Sequence, residues 1–257
     1  MFEQKKITYK MKLLSSLAKV FQDEEPVYQM ECQTLSALWG ETVSFQAAYT
    51  GDFFMRERLD VEVVSPLKDY IRVRTVEQVP VGRATNGIVD DNYLRTEPGL
   101  YPDLLRDVKD GKVIVCSNQW RSLWIDIEVT KDIAPGNYEI ELRLKKEGDV
   151  VASAKQRVTV IGVELPKQKI MHTEWMHADC LADYYHVEVF SEEHWKLLEN
   201  YFQEYVKRDC NMMLTPLFTS PLDTAIGLER TTCQLIDVEV KDGEYVFGFE
   251  KLKRWID

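Results

Sequence analysis

The chain has 257 residues, 45% hydrophobic and 11% aromatic, enough to bury a sizeable core in about one or two domains. Its formal charge of −11, with no lysine or arginine stripe to offset it, repels phosphate backbones and anionic lipid heads. Nucleic acid and membrane surfaces are thereby excluded as partners, and neutral ligands such as sugars stay open.

The N-terminal Leu13-Leu14-Ser15-Ser16-Leu17-Ala18 is too short for a secretory signal and runs into Lys19 and Gln22-Asp23-Glu24-Glu25. No apolar run approaches the ~20 residues that span a bilayer. The five cysteines, Cys32, Cys116, Cys180, Cys210 and Cys233, are too widely spaced for a zinc or redox pair, so free thiols and a cytoplasmic location are expected.

From residue 30 to about 163 the hydrophobic period is two. Tyr138, Ile140, Leu142 and Leu144 alternate with Glu139, Glu141 and Arg143, and the same holds for Val43, Phe45, Ala47 and Tyr49 and for Leu123, Ile125, Ile127 and Val129. Each such strand is expected to bury one face and wet the other. Pro135-Gly136-Asn137 and Gly148-Asp149 supply turns, and several short strands at this spacing predict an immunoglobulin-like β-sandwich over residues 1–163. Residues 82–112, with Asn86-Gly87 and Glu97-Pro98-Gly99, break the rhythm and read as a long loop, either contacting a neighbouring domain or a plain surface excursion.

Pro166 stops the last strand, and residues 164–169 read as a linker. The segment Lys169 to Trp175 reads as a strand. Ser191 then caps a helix carrying Trp195, Leu198, Phe202 and Tyr205 on one face, and Met212-Met213-Leu214 forms a second short buried run. Strand, helix, strand is a βαβ unit, whose strands are parallel. Asp242-Gly243 marks a hairpin, and helical spacing resumes at Phe249, Leu252, Trp255 and Ile256 without a stop signal. A (β/α)₈ TIM barrel takes ~250 residues, so residues 170–257 are expected to be its first two or three units, an incomplete catalytic barrel. Bare strand edges and the Trp195 helix face would favour self-association.

At His172-Thr173-Glu174-Trp175-Met176-His177-Ala178-Asp179, followed by Cys180-Leu181-Ala182-Asp183-Tyr184-Tyr185, the chain resembles bacterial proteins related to glycoside hydrolase family 123. The likeness extends through Trp39-Gly40-Glu41, Tyr101-Pro102-Asp103, Asn211 to Pro216, Pro221-Leu222-Asp223 and Gly227 to Thr231. The resemblance implies an N-terminal β-sandwich followed by a (β/α)₈ barrel, of which this chain would hold the N-terminal half. It also implies an exo-acting glycosidase that removes terminal N-acetylgalactosamine, the substrate's acetamido oxygen attacking the anomeric carbon while an Asp-Glu pair orients it and protonates the leaving oxygen, with net retention. In the family that pair lies on a barrel strand beyond residue 257, and Asp23-Glu24 sits in an acidic turn of the sandwich half. No catalytic residue is therefore assigned, and the isolated chain is expected to be inactive.

Barrel strands present their C-terminal ends to substrate, which puts Glu174, Trp175, His177 and Asp179 near the first strand's mouth and Thr215 near the second's. Glu174 and Asp179 can bind sugar hydroxyls, and Trp175 or Tyr185 can stack on a pyranose face; alternatively the aromatics are core anchors and the acids solvated or capping groups. His172 and Glu174 share a strand face, as do His177 and Asp179 if the strand continues, so two-ligand metal sites are geometrically open. No third ligand has suitable spacing, and neither metal nor cofactor is expected. His194 reads as a helix-surface residue. Asp223, Glu229 and Arg230 occupy the loop after the second strand, where Arg230 can pair with either carboxylate.

Two other readings compete. One is a non-catalytic carbohydrate-binding or assembly module with Trp39, Trp120 or Trp124 as its platforms; the other is a metal-dependent hydrolase built on the histidine cluster.

Overall fold

The computed structural model describes residues 7–26, 34–52, 56–85, 87, 89, 92–220 and 224–257; Cys32, Asn86 and Asp223 lie outside the described residues. The chain is mostly β-strand and divides into two compact units, Met1–Leu165 and Pro166–Asp257.

In the first unit, one five-stranded sheet runs β1 (Thr8–Ser15), β3 (Thr42–Asp52), β8 (Arg121–Glu128), β5 (Ile71–Val81), β6 (Gly99–Asp107). The second runs β2 (Thr34–Trp39), β10 (Asp149–Glu164), β9 (Gly136–Lys146), β4 (Glu57–Val64), β7 (Lys112–Val115). Neighbours are antiparallel except β2 and β10, which are parallel. The period-two apolar positions explain the core. Ile140, Leu142 and Leu144 of β9 and Leu123, Ile125 and Ile127 of β8 are all fully buried, and both sheets contribute to one cluster with Phe45, Leu59 and Val158. Each such side chain stabilises the fold by roughly 1.5–3 kcal/mol before chain entropy is counted.

β3 departs from the expected wet face. Every residue from Phe45 to Gly51 is buried, because Leu14, Ala18, Val20 and Trp120 form a second, smaller cluster over Ala48. A polar side chain tolerates such cover only when its hydrogen bonds are met. Gln46 meets that condition: its Nε2 donates to the Ala18 carbonyl at 2.7 Å and its Oε1 accepts from the Ser122 hydroxyl at 3.0 Å.

The expected loop at 82–112 is only partly a loop, since Gly99–Asp107 is the edge strand β6, paired with β5. Pro102, which lacks an N–H, is tolerated because β6 is outermost, and the register shifts beside it between Val76 and Gln78. The preceding irregular stretch is anchored within the same unit: Arg95 stacks 3.9 Å from the Phe21 ring and forks onto Asp23 at 2.9 and 3.1 Å. The tryptophans considered as sugar platforms are each at least half-buried or engaged by hydrogen bonds within the unit. Trp120 is buried, and the half-buried Trp39 and Trp124 donate their indole N–H groups to the Ile133 carbonyl and the Asp126 carboxylate at 2.8 and 2.7 Å.

The second unit contains α1 (Ala178–Tyr185), α2 (Glu192–Lys207), the hairpin β11 (Asp237–Lys241) and β12 (Glu244–Gly248), and α3 (Glu250–Ile256). Ser191 caps α2, its hydroxyl accepting from the His194 N–H at 3.3 Å. Asp242 and Gly243 turn the hairpin with φ of 54° and 84°, the pairing a two-residue type I′ turn requires. Ala178, Leu181, Leu198 and Cys233 form the core, with Phe190, Trp195, Phe202 and Trp255 packed against it. The helix face expected to be bare is partly covered by α3, whose Trp255 meets Phe202 edge-on at 5.0 Å while Arg254 lies 4.7 Å over Trp195.

Neither Lys169–Trp175 nor 212–214 forms a strand ladder. A parallel ladder spaces its hydrogen bonds evenly, whereas here the N–H groups of Asn211 and Met212 converge on one acceptor, the His172 carbonyl, at 3.0 and 3.2 Å. The Asn211 side chain makes the remaining links, accepting from the His172 N–H at 2.8 Å and donating to the Ile170 carbonyl at 2.9 Å. No described helix is long and apolar enough to cross a membrane.

Replacing Gln46 by methionine keeps the volume and removes the bonds to Ala18 and Ser122. Urea unfolding is expected to show a loss of about 1–3 kcal/mol, the penalty for stranding buried polar groups; an unchanged midpoint would mean the second cluster is held by apolar contact alone.

Candidate functional site

Among the described residues, the second unit holds a strongly desolvated ion pair. Arg230 forks onto Asp179, with Nε to Oδ2 at 2.6 Å and Nη2 to Oδ1 at 2.9 Å, and the side chains are only 12% and 7% exposed. Burial pushes the Asp179 carboxyl upward, but the hydrogen bonds and charge of Arg230 outweigh it and hold the group below the ordinary carboxylate value. Asp179 adds a partner to those the sequence offered Arg230, of which Asp223 lies outside the described residues. A helix starts at Ala178, and Asp179 occupies its first turn, where a carboxylate opposes the positive end of the dipole.

One helical turn later the same face is tied again, as Asp183 accepts from the Thr231 hydroxyl at 2.8 Å. Residues four apart on a helix lie one above the other, so α1 is joined to 230–231 twice. The following chain is tied to 216–219: Leu235 N–H donates to the Pro216 carbonyl at 2.9 Å, and Cys233 N–H to the Thr219 hydroxyl at 3.0 Å.

These ties enclose a cavity of about 140 Å³. Trp175, His177, Asp179, Thr215 and Arg230, all singled out in the sequence, line it together with Cys233. Trp175 is 67% exposed and offers a flat apolar plate at the cavity. Cys233 was not anticipated as a lining residue. Burial, then the charge of Asp179, pushes its thiol up to about 12, which keeps it protonated and poorly nucleophilic.

The other sequence candidates fall elsewhere. Glu174 is exposed beside His172 at 3.3 Å, and its carbonyl accepts from the Tyr205 hydroxyl. Tyr185 ends α1, 3.2 Å from the Tyr201 hydroxyl, and Glu229 is exposed. Among the described residues no three of His, Cys, Asp and Glu converge as a metal site.

His194 corrects the reading of a helix-surface side chain. It is fully buried; its Nδ1 accepts from the Phe190 N–H at 2.9 Å and its Nε2 lies 2.9 Å from the Ala178 carbonyl, so the ring is neutral with the proton on Nε2. It thereby bonds the start of α2 to the start of the helix that carries Asp179. Burial lowers its pKa, against the opposing pull of the Ala178 carbonyl and the Asp179 charge.

Because the folded-state value lies below the unfolded ~6.5, the neutral ring is favoured by folding. That contribution is whole above pH ~6.5 and is lost as pH falls from there through the folded value. In His194→Gln the amide can accept from Phe190 and donate to Ala178, so this segment of the stability–pH curve should flatten; a curve identical to the parent's would assign the acid sensitivity elsewhere. Asp179→Ala removes the bidentate carboxylate from a largely buried guanidinium and is expected to destabilise the second unit by about 3–5 kcal/mol, read by hydrogen exchange across α1; a change under ~1 kcal/mol would mean the pair is solvated.

The family model described as the glycoside hydrolase 123 catalytic domain matches residues 175–257. Among solved structures, a family 123 glycoside hydrolase from Clostridium perfringens, described for glycolipid glycan hydrolysis, matches at TM-score 0.71 and 17% identity over 97% of this chain. The chain spans 44% of that structure. A β-glucosidase from Listeria innocua matches at TM-score 0.29 and 12% identity, over 62% of this chain and 17% of its own. The N-terminal domain of PorA matches at 0.28 and 10%, over 60% and 98%. Likeness at those last two levels carries no argument. The comparison with curated proteins gives no match. The chain is thus similar to glycoside hydrolase family 123 proteins, in fold along nearly its whole length and in catalytic-domain sequence over residues 175–257.

Proposed function

We propose that this chain is part of a glycoside hydrolase, exo-acting on N-acetylhexosamine glycosides of the N-acetylgalactosamine kind by a substrate-assisted, retaining mechanism. In this reading the first unit is a β-sandwich, the second contains the opening units of a (β/α)₈ barrel, and the Asp179–Arg230 cavity is a sugar subsite. The observation that carries it is the position of that cavity: its lining, from Trp175 to Cys233, falls within the segment matched to the family 123 catalytic domain.

The chemistry of the lining suits part of a sugar. A volume of about 140 Å³ is smaller than the ~300 Å³ of a pocket that swallows a whole drug-sized ligand, so it takes one arm of a ring while Trp175 stacks on the apolar pyranose face. The Asp179–Arg230 pair fixes the polar wall, and His177 and Thr215 add hydrogen-bonding groups. Preorganised polar walls bind hydroxyl and amide groups without first having to order themselves.

In the mechanism, the substrate's acetamido oxygen forms a bond to the anomeric carbon as the glycosidic bond breaks, the leaving oxygen takes a proton from an acid, and water then reopens the cyclic intermediate with retention. Asp179 is unsuited to the acid's role, because the guanidinium holds it ionised. The adjacent acids Asp23 and Glu24 belong to the first unit and are occupied by Arg95 at 2.9 and 3.3 Å. The 257-residue chain by itself therefore binds sugar without turning it over.

The test is a titration of the full chain with N-acetylgalactosamine, followed by NMR of the Trp175 indole. A saturable shift at millimolar ligand, weakened about tenfold in Trp175→Ala, is expected, with no release from a chromogenic N-acetylgalactosaminide. An indole signal unmoved at about 10 mM sugar, where a millimolar complex would be saturated, contradicts the subsite, and steady turnover contradicts the assignment of catalysis to residues outside this chain.

A further inference from the structure

We propose that the first unit carries an anion-binding site, independent of the sugar subsite, that takes a small oxyanion group such as sulfate or phosphate, either free or carried on a sugar. The site is a cavity of about 260 Å³ to which strands of both sheets contribute.

Its charge runs against that of the chain. With a formal charge of −11, a surface recess should be rich in acids, yet this one is lined by Arg58, Arg106, Lys109, Lys112 and Arg121 against Glu77, Asp107 and Asp110. The acids are also partly spent. Asp107 takes the fork of Arg72, a residue outside the cavity, at 2.8 and 3.0 Å, and Glu77 accepts from the Thr75 hydroxyl at 2.7 Å. Of the cations, Lys112 lies 3.5 Å from Asp60. Among the described residues the side chains of Arg58, Arg106, Lys109 and Arg121 make no ion pair or hydrogen bond.

Arg121 is the most telling of these. Its Nε is buried with no hydrogen-bond partner, whereas buried donors in folded proteins are almost always satisfied. It projects from the central strand β8, whose alternate residues Leu123, Ile125 and Ile127 are locked in the core, so the position of its backbone is fixed. A guanidinium presents paired N–H groups at the spacing of two oxygens of one oxyanion, and several guanidiniums around one recess favour sulfate or phosphate over chloride. Tyr49, 2% exposed, closes the cavity's buried side.

The experiment titrates the full chain with sodium sulfate, sodium phosphate and galactose 6-sulfate at constant ionic strength, because salt alone screens exposed charges over about 10 Å, and reads heat by calorimetry. Saturable binding is expected, weakened about tenfold or more in Arg106→Gln and in Arg121→Gln, and unchanged in Lys131→Gln, which pairs with Glu164 at 2.9 Å away from this lining. Arg58→Gln and Arg106→Gln alter exposed residues and keep the test valid if the Arg121 variant fails to fold. Galactose 6-sulfate binding much more tightly than inorganic sulfate identifies a sugar-borne oxyanion, and equal affinities identify the free ion; both outcomes support the site. Absence of saturation by all three ligands at about 10 mM, or equal binding by the parent and the Arg106 and Arg58 variants, overturns it.

Discussion

A guanidinium and a carboxylate withdrawn from water set the requirements on the rest of the second unit. Separating them there leaves an uncompensated charge in a poorly polarisable surrounding, so every element near them must keep Arg230 and Asp179 in bidentate register. The start of α1 places the acid, the Thr231–Asp183 bond places the segment that brings the base, and neutral His194 holds the start of α1 against that of α2. Buried pairs of this kind contribute little net stability compared with apolar residues of the same size. What they supply here is position: one arrangement of α1 and of 230–233 satisfies the charges, and that arrangement leaves a small polar-walled recess beside Trp175.

The first unit solves a different problem. Its period-two strands make one core from two sheets, and the sequence between β1 and β2 returns over β3 so that Gln46 is bonded rather than wet. The result is a rigid frame whose recesses are lined by strand-end side chains. The cation-lined recess around Arg121 is a consequence of that frame, since alternate residues of β8 cannot move without disturbing the core.

Much of this was readable from residue order, and the parts that were not have physical causes. Alternation in 138–144 and 123–129, the Ser191 cap, the Asp242-Gly243 turn and the closing helix are local patterns, set by neighbours in the chain, and each appears in the structure. The burial of β3 on both faces was hidden because the cover comes from distant positions, Leu14, Ala18 and Val20 before the strand and Trp120 well after it, and no period encodes it. The short helix at 178–185 was masked by the strand-like run before it, although Asp179 and Asp183, four apart with Leu181 and Ala182 between, are the signal of a helix face. Trp175, His177, Asp179, Thr215 and Arg230, each singled out in the sequence, come to line one cavity, but the Asp179–Arg230 bond beside it joins positions far apart in the chain. His194 was misjudged for the same reason, as its partners Phe190 and Ala178 satisfy both ring nitrogens only once α1 and α2 meet.

The most direct test of the central claim is a double-mutant cycle on Asp179 and Arg230, using Asp179→Leu, Arg230→Leu and the combined variant, with unfolding free energies measured in urea at pH 7. A coupled, desolvated pair predicts that each single variant is destabilised by about 3–5 kcal/mol while the combined variant loses far less than their sum. Strict additivity of the two losses, to within about 0.5 kcal/mol, would contradict the account, because it would mean that the two side chains act separately and that the cavity is held by something else.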